Sequence, residues 1–333
     1  MFSIGITLVK ILLNIIRYKI KKTLKLYKMK TYLFILVTFF LLFTKVSYGI
    51  LPDREYRFFP EKLGLIYKDL NVITSDSIKI KTWFFPAQDS LSSTELEEVW
   101  NKSIKKTYKI KDSLRRPTII ICNGDAGNMS WQQLHFAANY ITNGYNVVTF
   151  DWRGFGESTE WQMNKDYLVY TEFLIDYDAV INEVLKQKEV DTNRIALMGW
   201  STGAYLSMAA ASKRKEVSCF IGQALMTSFD DVLPLVKALP KNKDRKLIIP
   251  ADYPKALFPI SLATKFNKST FLIVGENDER TPVWMSKKIF DLLPYNKELW
   301  IVNGAEHGGP NGPQKDFKIF NEKIVQFLNK YLK

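Results

Sequence analysis

Continuous apolar runs alternate with amphipathic stretches along most of the chain beyond residue 78. A continuous apolar run is typical of a parallel strand covered on both faces, whereas apolar residues three and four positions apart are typical of a helix. Their alternation predicts an α/β protein, in which helices flank a mostly parallel central sheet. The predicted parallel strands are Thr118–Cys122, Tyr145–Phe150, Asn193–Met198, Val217–Ile221, Thr270–Gly275 and Lys297–Val302.

The remaining pattern predicts an antiparallel edge and several flanking helices. Ile78–Phe85 alternates apolar and polar residues at first and ends at Pro86, which favours a half-exposed antiparallel strand. Leu63–Tyr67 is predicted to be a first edge strand, and the polar residues 89–115 a surface insertion. The predicted helices are about Met129–Asn143, Leu168–Lys186, Ala204–Ala211 and Phe317–Leu332.

Residues 1–49 differ from the rest in composition. Nine Lys and Arg residues and no acid accompany an apolar run, Tyr32–Phe43, that is followed by Ser47-Tyr48-Gly49. Positive charge, about a dozen apolar residues and a small-x-small site predict a secretory signal peptide, for which Met29 is a natural start. An uncleaved membrane anchor is the alternative. Both hypotheses place a domain at residues 50–333 outside the cytoplasmic membrane, either secreted, periplasmic or anchored.

The charge and the cysteines narrow the function classes. The net charge is +13, but residues 51–333 carry 38 basic and 34 acidic residues, so no basic stripe for a nucleic acid is predicted. Cys122 and Cys219 lie within apolar runs, and we expect packed thiols rather than a disulfide framework. Two histidines without a Cys or carboxylate cluster predict neither a metal site nor a cofactor.

The sequence Gly199-Trp200-Ser201-Thr202-Gly203 lies where an apolar strand ends and a small-residue helix begins. A serine on such a tight turn needs glycine two positions before and after it, because Cβ atoms there would collide with the returning backbone. The pattern G-x-S-x-G resembles the nucleophile elbow of α/β-hydrolases. An ordinary strand-to-helix turn is the alternative, so the partners of the serine decide between the two.

Those partners follow in the order that the resemblance requires. Asp278 comes after the strand at 270–275, and His307 comes after the strand at 297–302. The order Ser, Asp, His, each after its own strand, resembles the α/β-hydrolase triad. A histidine can accept and return a proton near neutrality, and a carboxylate fixes its tautomer. The resemblance therefore implies that Ser201, Asp278 and His307 are catalytic.

Three other residues compete less well for these roles. Glu276 and Glu279 flank the predicted acid, and Asp278 is preferred because it matches the family position in Gly-x-x-Asp-x-x-x-Pro. His135 is expected on the face of a helix without a catalytic role.

Two loops resemble further parts of the family. Residues 123–128, Asn-Gly-Asp-Ala-Gly-Asn, are similar to the His-Gly-Asn-Ala-Gly-Asn loop of one α/β-hydrolase branch, which implies that the N–H groups of Asp125 and Thr202 form the oxyanion hole. The Asp125 carboxylate must then point away from the developing oxyanion. In the D-x-R-G-x-G-x-S turn we expect Asp151 and Arg153 to form a salt bridge that fastens the loop.

The resemblance covers about residues 60–333 and implies an α/β-hydrolase fold with a small helical cap at about residues 230–268. The implied reaction transfers the acyl group of an ester, thioester or amide to water through Ser201, and a carboxylesterase with a small-molecule or lipid-like acyl substrate is favoured. A serine peptidase, an acyltransferase or a catalytically idle binding protein on the same scaffold are the alternatives. An uncleaved amino-terminal segment would add the membrane as a partner.

Overall fold

The computed structural model describes residues 49–92, 94–95, 107–164, 166–242, 245–294 and 296–332. The strands in this part of the chain are β1 (Leu51–Pro52), β2 (Lys68–Ile73), β3 (Lys79–Phe85), β4 (Gln88–Ser90), β5 (Tyr108–Ile110), β6 (Arg116–Cys122), β7 (Ala126–Gly127), β8 (Asn146–Phe150), β9 (Val190–Trp200), β10 (Val217–Gln223), β11 (Ser269–Gly275) and β12 (Lys297–Val302). Eight of them form one sheet in the order β12-β11-β10-β9-β6-β8-β3-β2. Strand β3 pairs antiparallel with β2 and β8, and the other neighbours are parallel. The predicted mostly parallel α/β class is confirmed.

Helices cover both faces of this sheet. They are α1 (Gln132–Thr142), α2 (Phe173–Val184), α3 (Thr202–Lys213), α4 (Phe229–Ala238), α5 (Pro259–Leu262), α6 (Val283–Leu292) and α7 (Phe317–Tyr331). Successive side chains of a strand point to opposite faces. In β6, Ile119 and Ile121 therefore pack with α1 and α7, whereas Ile120 and Cys122 pack with α2 and α3. This double burial explains the continuous apolar run of β6, which is buried at every position after Arg116.

The cysteines illustrate the same division. Cys122 belongs to the core on one face of the sheet and Cys219 to the core on the other face. Both are buried free thiols, as predicted.

Some predicted boundaries are wrong. Leu63–Tyr67 is not a strand: Pro60–Leu63 is a short 3-10 helix, and Gly64 follows it with a φ of +71°. The N–H of Ile66 then donates to the side chain of Gln88, so ladder pairing begins only at Lys68. Helix α1 begins at Gln132 and α2 at Phe173, each later than predicted.

The segment at about residues 230–268 contains most of α4, all of α5 and short 3-10 turns. The apolar run Tyr32–Phe43 lies outside the described residues, and the signal peptide or anchor stays a prediction. Within the described part, no helix has the length and hydrophobicity that crossing a bilayer requires.

Candidate active site

Ser201 occupies a strained turn between β9 and α3. Its φ is 52° and its ψ is −117°, a backbone conformation that residues other than glycine rarely adopt. A Cβ at Gly199 would lie 2.2 Å from the carbonyl oxygen of Gly203, and a Cβ at Gly203 would lie 1.9 Å from that of Asn123. The backbone N–H of Ser201 donates to Gln223 at 2.9 Å, which ties the turn to β10. Glycine at both positions is therefore a steric requirement.

The structure brings the three predicted triad residues together. The His307 ring lies with Nε2 3.1 Å from Ser201 Oγ, and its Nδ1 lies 2.9 Å from each carboxylate oxygen of Asp278. These residues follow β9, β11 and β12, whose carboxyl ends lie at the same edge of the sheet. Asp278 and His307 are 3% and 8% exposed, so water has little access to the hydrogen bond between them.

The surroundings keep Asp278 ionised. Burial raises its pKa, but the hydrogen bond and charge of His307 and two hydrogen bonds from Thr281 outweigh this effect and hold the pKa below its usual value. An ionised carboxylate accepts the Nδ1–H of His307, which leaves Nε2 free to accept the proton of the Ser201 hydroxyl. This is the protonation pattern that activates a serine.

Two residues that the sequence analysis did not identify support the histidine and its acid. The Thr281 hydroxyl donates to Asp278 at 2.8 Å, and its backbone N–H donates to the same carboxylate at 2.9 Å. Trp200 Nε1 donates to the carbonyl oxygen of His307 at 3.3 Å. A Cβ at Gly308 would lie 2.2 Å from the Trp200 ring, so glycine lets the histidine loop lie against the indole. The Asp-x-x-Thr spacing could have predicted that Thr281 bonds back to Asp278, because Asp side chains commonly accept such local hydrogen bonds. Nothing in the sequence distinguishes Trp200.

The competing residues have other positions. Glu276 accepts the backbone N–H of Gly304 at 2.8 Å and so links the two loops that carry Asp278 and His307. Glu279 is exposed. His135 is exposed on α1, where its ring contacts Phe58 edge-on at 5.5 Å.

The two predicted oxyanion donors lie beside the nucleophile. Asp125 and Thr202 line one cavity together with Ser201 and His307. Thr202 is the first residue of α3, where backbone N–H groups have no acceptor within the helix. Burial raises the pKa of the Asp125 carboxyl, while Arg280, His307 and the residue's own N–H oppose that rise. The donor role of the two N–H groups stays a prediction.

The predicted salt bridge between Asp151 and Arg153 is wrong. Asp151 accepts the N–H of Met129 at 2.7 Å and the Tyr56 hydroxyl at 2.5 Å. Arg153 reaches away from it to Asp176 of α2 at 2.7 Å and to Asp76 at 2.6 Å. The guanidinium is buried, and two carboxylates on other elements neutralise it better than one neighbour in the same turn.

His307 lines both a narrow cavity and a wide cleft. The cavity, of about 60 Å³, contains Ser201 and is otherwise mainly apolar. The cleft, of about 860 Å³ on the same measure, is lined by His307, Asp278, Trp200 and several acidic residues. Within the ranges that the structure describes, no three His, Cys, Asp or Glu side chains converge where a metal ion would bind.

With this geometry in place, comparison with known proteins is informative. The sequence profile of the prolyl oligopeptidase family matches residues 130–333, which is more than half of the chain. The chain belongs to the prolyl oligopeptidase family. The match includes Ser201, Asp278 and His307 and begins after the loop that carries Asp125.

Known proteins similar to this prolyl oligopeptidase family member include an uncharacterized protein, an esterase and a peptidase. An uncharacterized 31.7 kDa Escherichia coli protein is 31% identical over 131 residues, which are 39% of this chain and 45% of that protein, so the match spans less than half of this relative. The Pyrococcus furiosus esterase Pf2001 superposes with a TM-score of 0.65 at 20% identity, over 86% of this chain and 100% of the esterase. A Mycobacterium tuberculosis puromycin-hydrolyzing peptidase gives a TM-score of 0.60 at 13% identity, over 80% of this chain and 39% of the peptidase. The fold is that of the α/β-hydrolases, and the family is one of hydrolases.

Proposed function

We propose that this protein is a serine carboxylesterase that works through an acyl-enzyme on Ser201. The observation that carries the proposal is the His307 ring, which lies within hydrogen-bonding distance of both Ser201 (3.1 Å) and Asp278 (2.9 Å). Membership of the prolyl oligopeptidase family supports hydrolysis by a serine nucleophile.

The geometry supports a two-step reaction. His307 Nε2 takes the hydroxyl proton as Ser201 Oγ forms a bond to the carbonyl carbon, and N–H groups of Asp125 and Thr202 stabilise the oxyanion. The bond from the carbonyl carbon to the leaving oxygen then breaks, and His307 gives its proton to that oxygen. Water repeats the sequence on the acyl-enzyme, so that an ester and water yield an acid and an alcohol while Ser201 is regenerated.

Chain coverage supports an ester substrate over an amide. The match to the esterase Pf2001 spans the whole of that protein, whereas the match to the puromycin-hydrolyzing peptidase spans 39% of its chain. A peptidase is the second candidate, and the family match favours it. Export is part of the proposal and is supported by the basic residues before the apolar run at 32–43.

A fluorophosphonate probe tests the serine. We expect the folded protein to be labelled and Ser201→Ala to lose both labelling and hydrolysis of p-nitrophenyl butyrate, because the nucleophilic oxygen is absent. Ser212→Ala, in helix α3, is the matched control and should label normally, since its hydroxyl donates to the Ala209 carbonyl of the same helix. Folded wild-type protein that takes no label would overturn the proposal in favour of a binding protein.

A second measurement separates the two hydrolases. We expect kcat/KM for p-nitrophenyl butyrate to exceed that for alanine p-nitroanilide. The reverse order would make the protein a peptidase.

A further inference from the structure

We infer that the cavity beside Ser201 is an acyl pocket that admits acyl chains of up to about six carbons and excludes longer ones. This inference rests on the proposed function and adds the substrate class. It depends on which side of the histidine the acyl group occupies, on the volume of the cavity and on the rigidity of its walls.

The residues around each space assign the two sides. Ser201 and both predicted oxyanion donors, Asp125 and Thr202, line the cavity, so the carbonyl group and its acyl chain belong there. The wide cleft is lined by His307 but by none of those three residues. Because His307 must protonate the leaving oxygen, the alcohol departs toward the cleft.

The volumes differ more than tenfold. The cavity holds about 60 Å³ and the cleft about 860 Å³ on the same measure. A cavity for a single water molecule measures roughly 10–15 Å³ in this way. The cavity therefore has room for about four to six groups of the size of a water molecule, whereas the cleft places no comparable limit on the alcohol.

The cavity has apolar walls that are packed from behind. Phe229 contacts Tyr205 at 5.4 Å, Tyr253 at 5.5 Å and Phe258 at 5.6 Å, and all four rings are buried. A close-packed aromatic cluster does not yield to an extra methylene without strain. The apolar lining consists of Leu168, Tyr205, Ala224, Met226, Phe229, Val232 and Val236.

Helix α4 supplies three of those seven apolar residues. Phe229, Val232 and Val236 are three and four positions apart and so lie on one face of the helix. The helix is anchored at its start, where the Ser228 hydroxyl accepts the N–H of Asp231 at 3.2 Å. This face therefore sets the depth of the pocket.

The chain-length profile of the wild-type enzyme tests the inference directly. The probes are p-nitrophenyl acetate, butyrate, hexanoate and decanoate, which share one leaving group. A methylene that a pocket cannot accept costs roughly 10- to 200-fold in kcat/KM, so we expect at least a tenfold fall from hexanoate to decanoate. A flat profile, or one that rises to decanoate, would overturn the inference.

Two variants change the cavity in opposite directions. Val236→Ala enlarges the cavity and should raise the ratio of kcat/KM for decanoate to that for butyrate about tenfold. Val232→Phe fills the cavity and should lower the ratio of kcat/KM for hexanoate to that for acetate about tenfold. Val184→Ala removes the same groups from a buried valine of α2 outside the cavity and should leave the profile unchanged. The same profile in all three variants as in the wild type would contradict an acyl pocket at this position.

The outcomes distinguish failure of the pocket from failure of the function. Fluorophosphonate labelling together with butyrate hydrolysis and a flat profile overturns the acyl pocket alone. Absence of labelling in folded protein overturns the serine hydrolase as well.

Discussion

Ser201 shows how one residue depends on its neighbours for an unfavourable conformation. A non-glycine residue at a φ of 52° costs of order 1–3 kcal/mol and persists only where the surrounding structure enforces it. Here the close approach of Gly199 to the Gly203 carbonyl enforces it, together with the hydrogen bond from Ser201 to β10. This conformation places the half-buried hydroxyl at the turn, 3.1 Å from His307 Nε2.

Asp151 makes stability depend on pH. Burial raises its pKa to about 7, against opposing hydrogen bonds from Tyr56 and Met129. The unfolded chain loses this proton near pH 4, so the resulting stability is complete below about pH 4 and is lost as the pH rises to about 7. Asparagine does not ionise. We therefore expect the fall in Tm between pH 5 and pH 7.5 to be smaller in Asp151→Asn than in the wild type.

Thermal unfolding at several pH values checks this expectation. Asp252→Asn, at an exposed carboxylate, is the matched control and should keep the wild-type dependence. An unchanged slope in Asp151→Asn would show that other groups cause the pH dependence.

At the scale of elements, the sequence predicts what burial and chain order determine. The central parallel strands are predictable because both of their faces are covered, as Ile119 and Ile120 of β6 show. The triad is predictable because each member follows a strand and the carboxyl ends of parallel strands share one edge. The elbow is predictable because its two glycines meet a steric requirement that no other residue meets.

The rest depends on partners that sequence spacing does not encode. Arg153 lies two residues from Asp151 but bonds to carboxylates 77 and 23 residues away. The edge strand begins at Lys68 rather than Leu63. The backbone N–H of Ile66, which would have paired in the sheet, donates instead to the side chain of Gln88, 22 residues away. Long-range polar contacts of this kind become visible only in the folded chain.

Arg153 joins the turn after β8 to α2 and to the β2–β3 connection. Its two partners differ in exposure, since the Asp176 side chain is 0% exposed and the Asp76 side chain is 40% exposed. Removing one partner of a buried ion pair costs roughly 3–5 kcal/mol, and an exposed pair contributes about 0–1 kcal/mol. We therefore expect Asp176→Asn to lower the free energy of unfolding by about 3 kcal/mol and Asp76→Asn by less than about 1 kcal/mol.

Urea unfolding at pH 7.5 measures both variants, which serve as controls for each other. Equal losses would mean that burial does not determine the strength of this network.

On the scale of the whole molecule, residues 49–53 pack against the loop that carries Asp125. The N–H of Leu51 donates to the Asp125 carbonyl at 2.8 Å, and that of Asp53 donates to Gly127 at 3.2 Å. Gly49 lines the cavity beside Ser201, and Ile50 is completely buried. The loop with the predicted oxyanion donor thus rests on the segment that follows the predicted signal peptide.

Shortened proteins test this dependence. We expect a protein that begins at Ile50 to hydrolyse p-nitrophenyl butyrate normally, because β1 is intact. A protein that begins at Arg57 lacks β1 and should lose roughly 10²- to 10³-fold in kcat, as for loss of one oxyanion donor. Circular dichroism confirms that each shortened protein is folded, and equal kcat values in the two would exclude a role for β1 in catalysis.

The burial of Cys122 and Cys219 on opposite faces of the sheet has a practical consequence for the laboratory. Burial raises the pKa of both thiols, and thiol reagents attack the deprotonated, accessible form. Because the chain has no other cysteine, a maleimide dye would find a unique target in any cysteine introduced at the surface. The folded protein should therefore give little background labelling by the dye. Labelling of Cys122 and Cys219 would then report unfolding of the sheet.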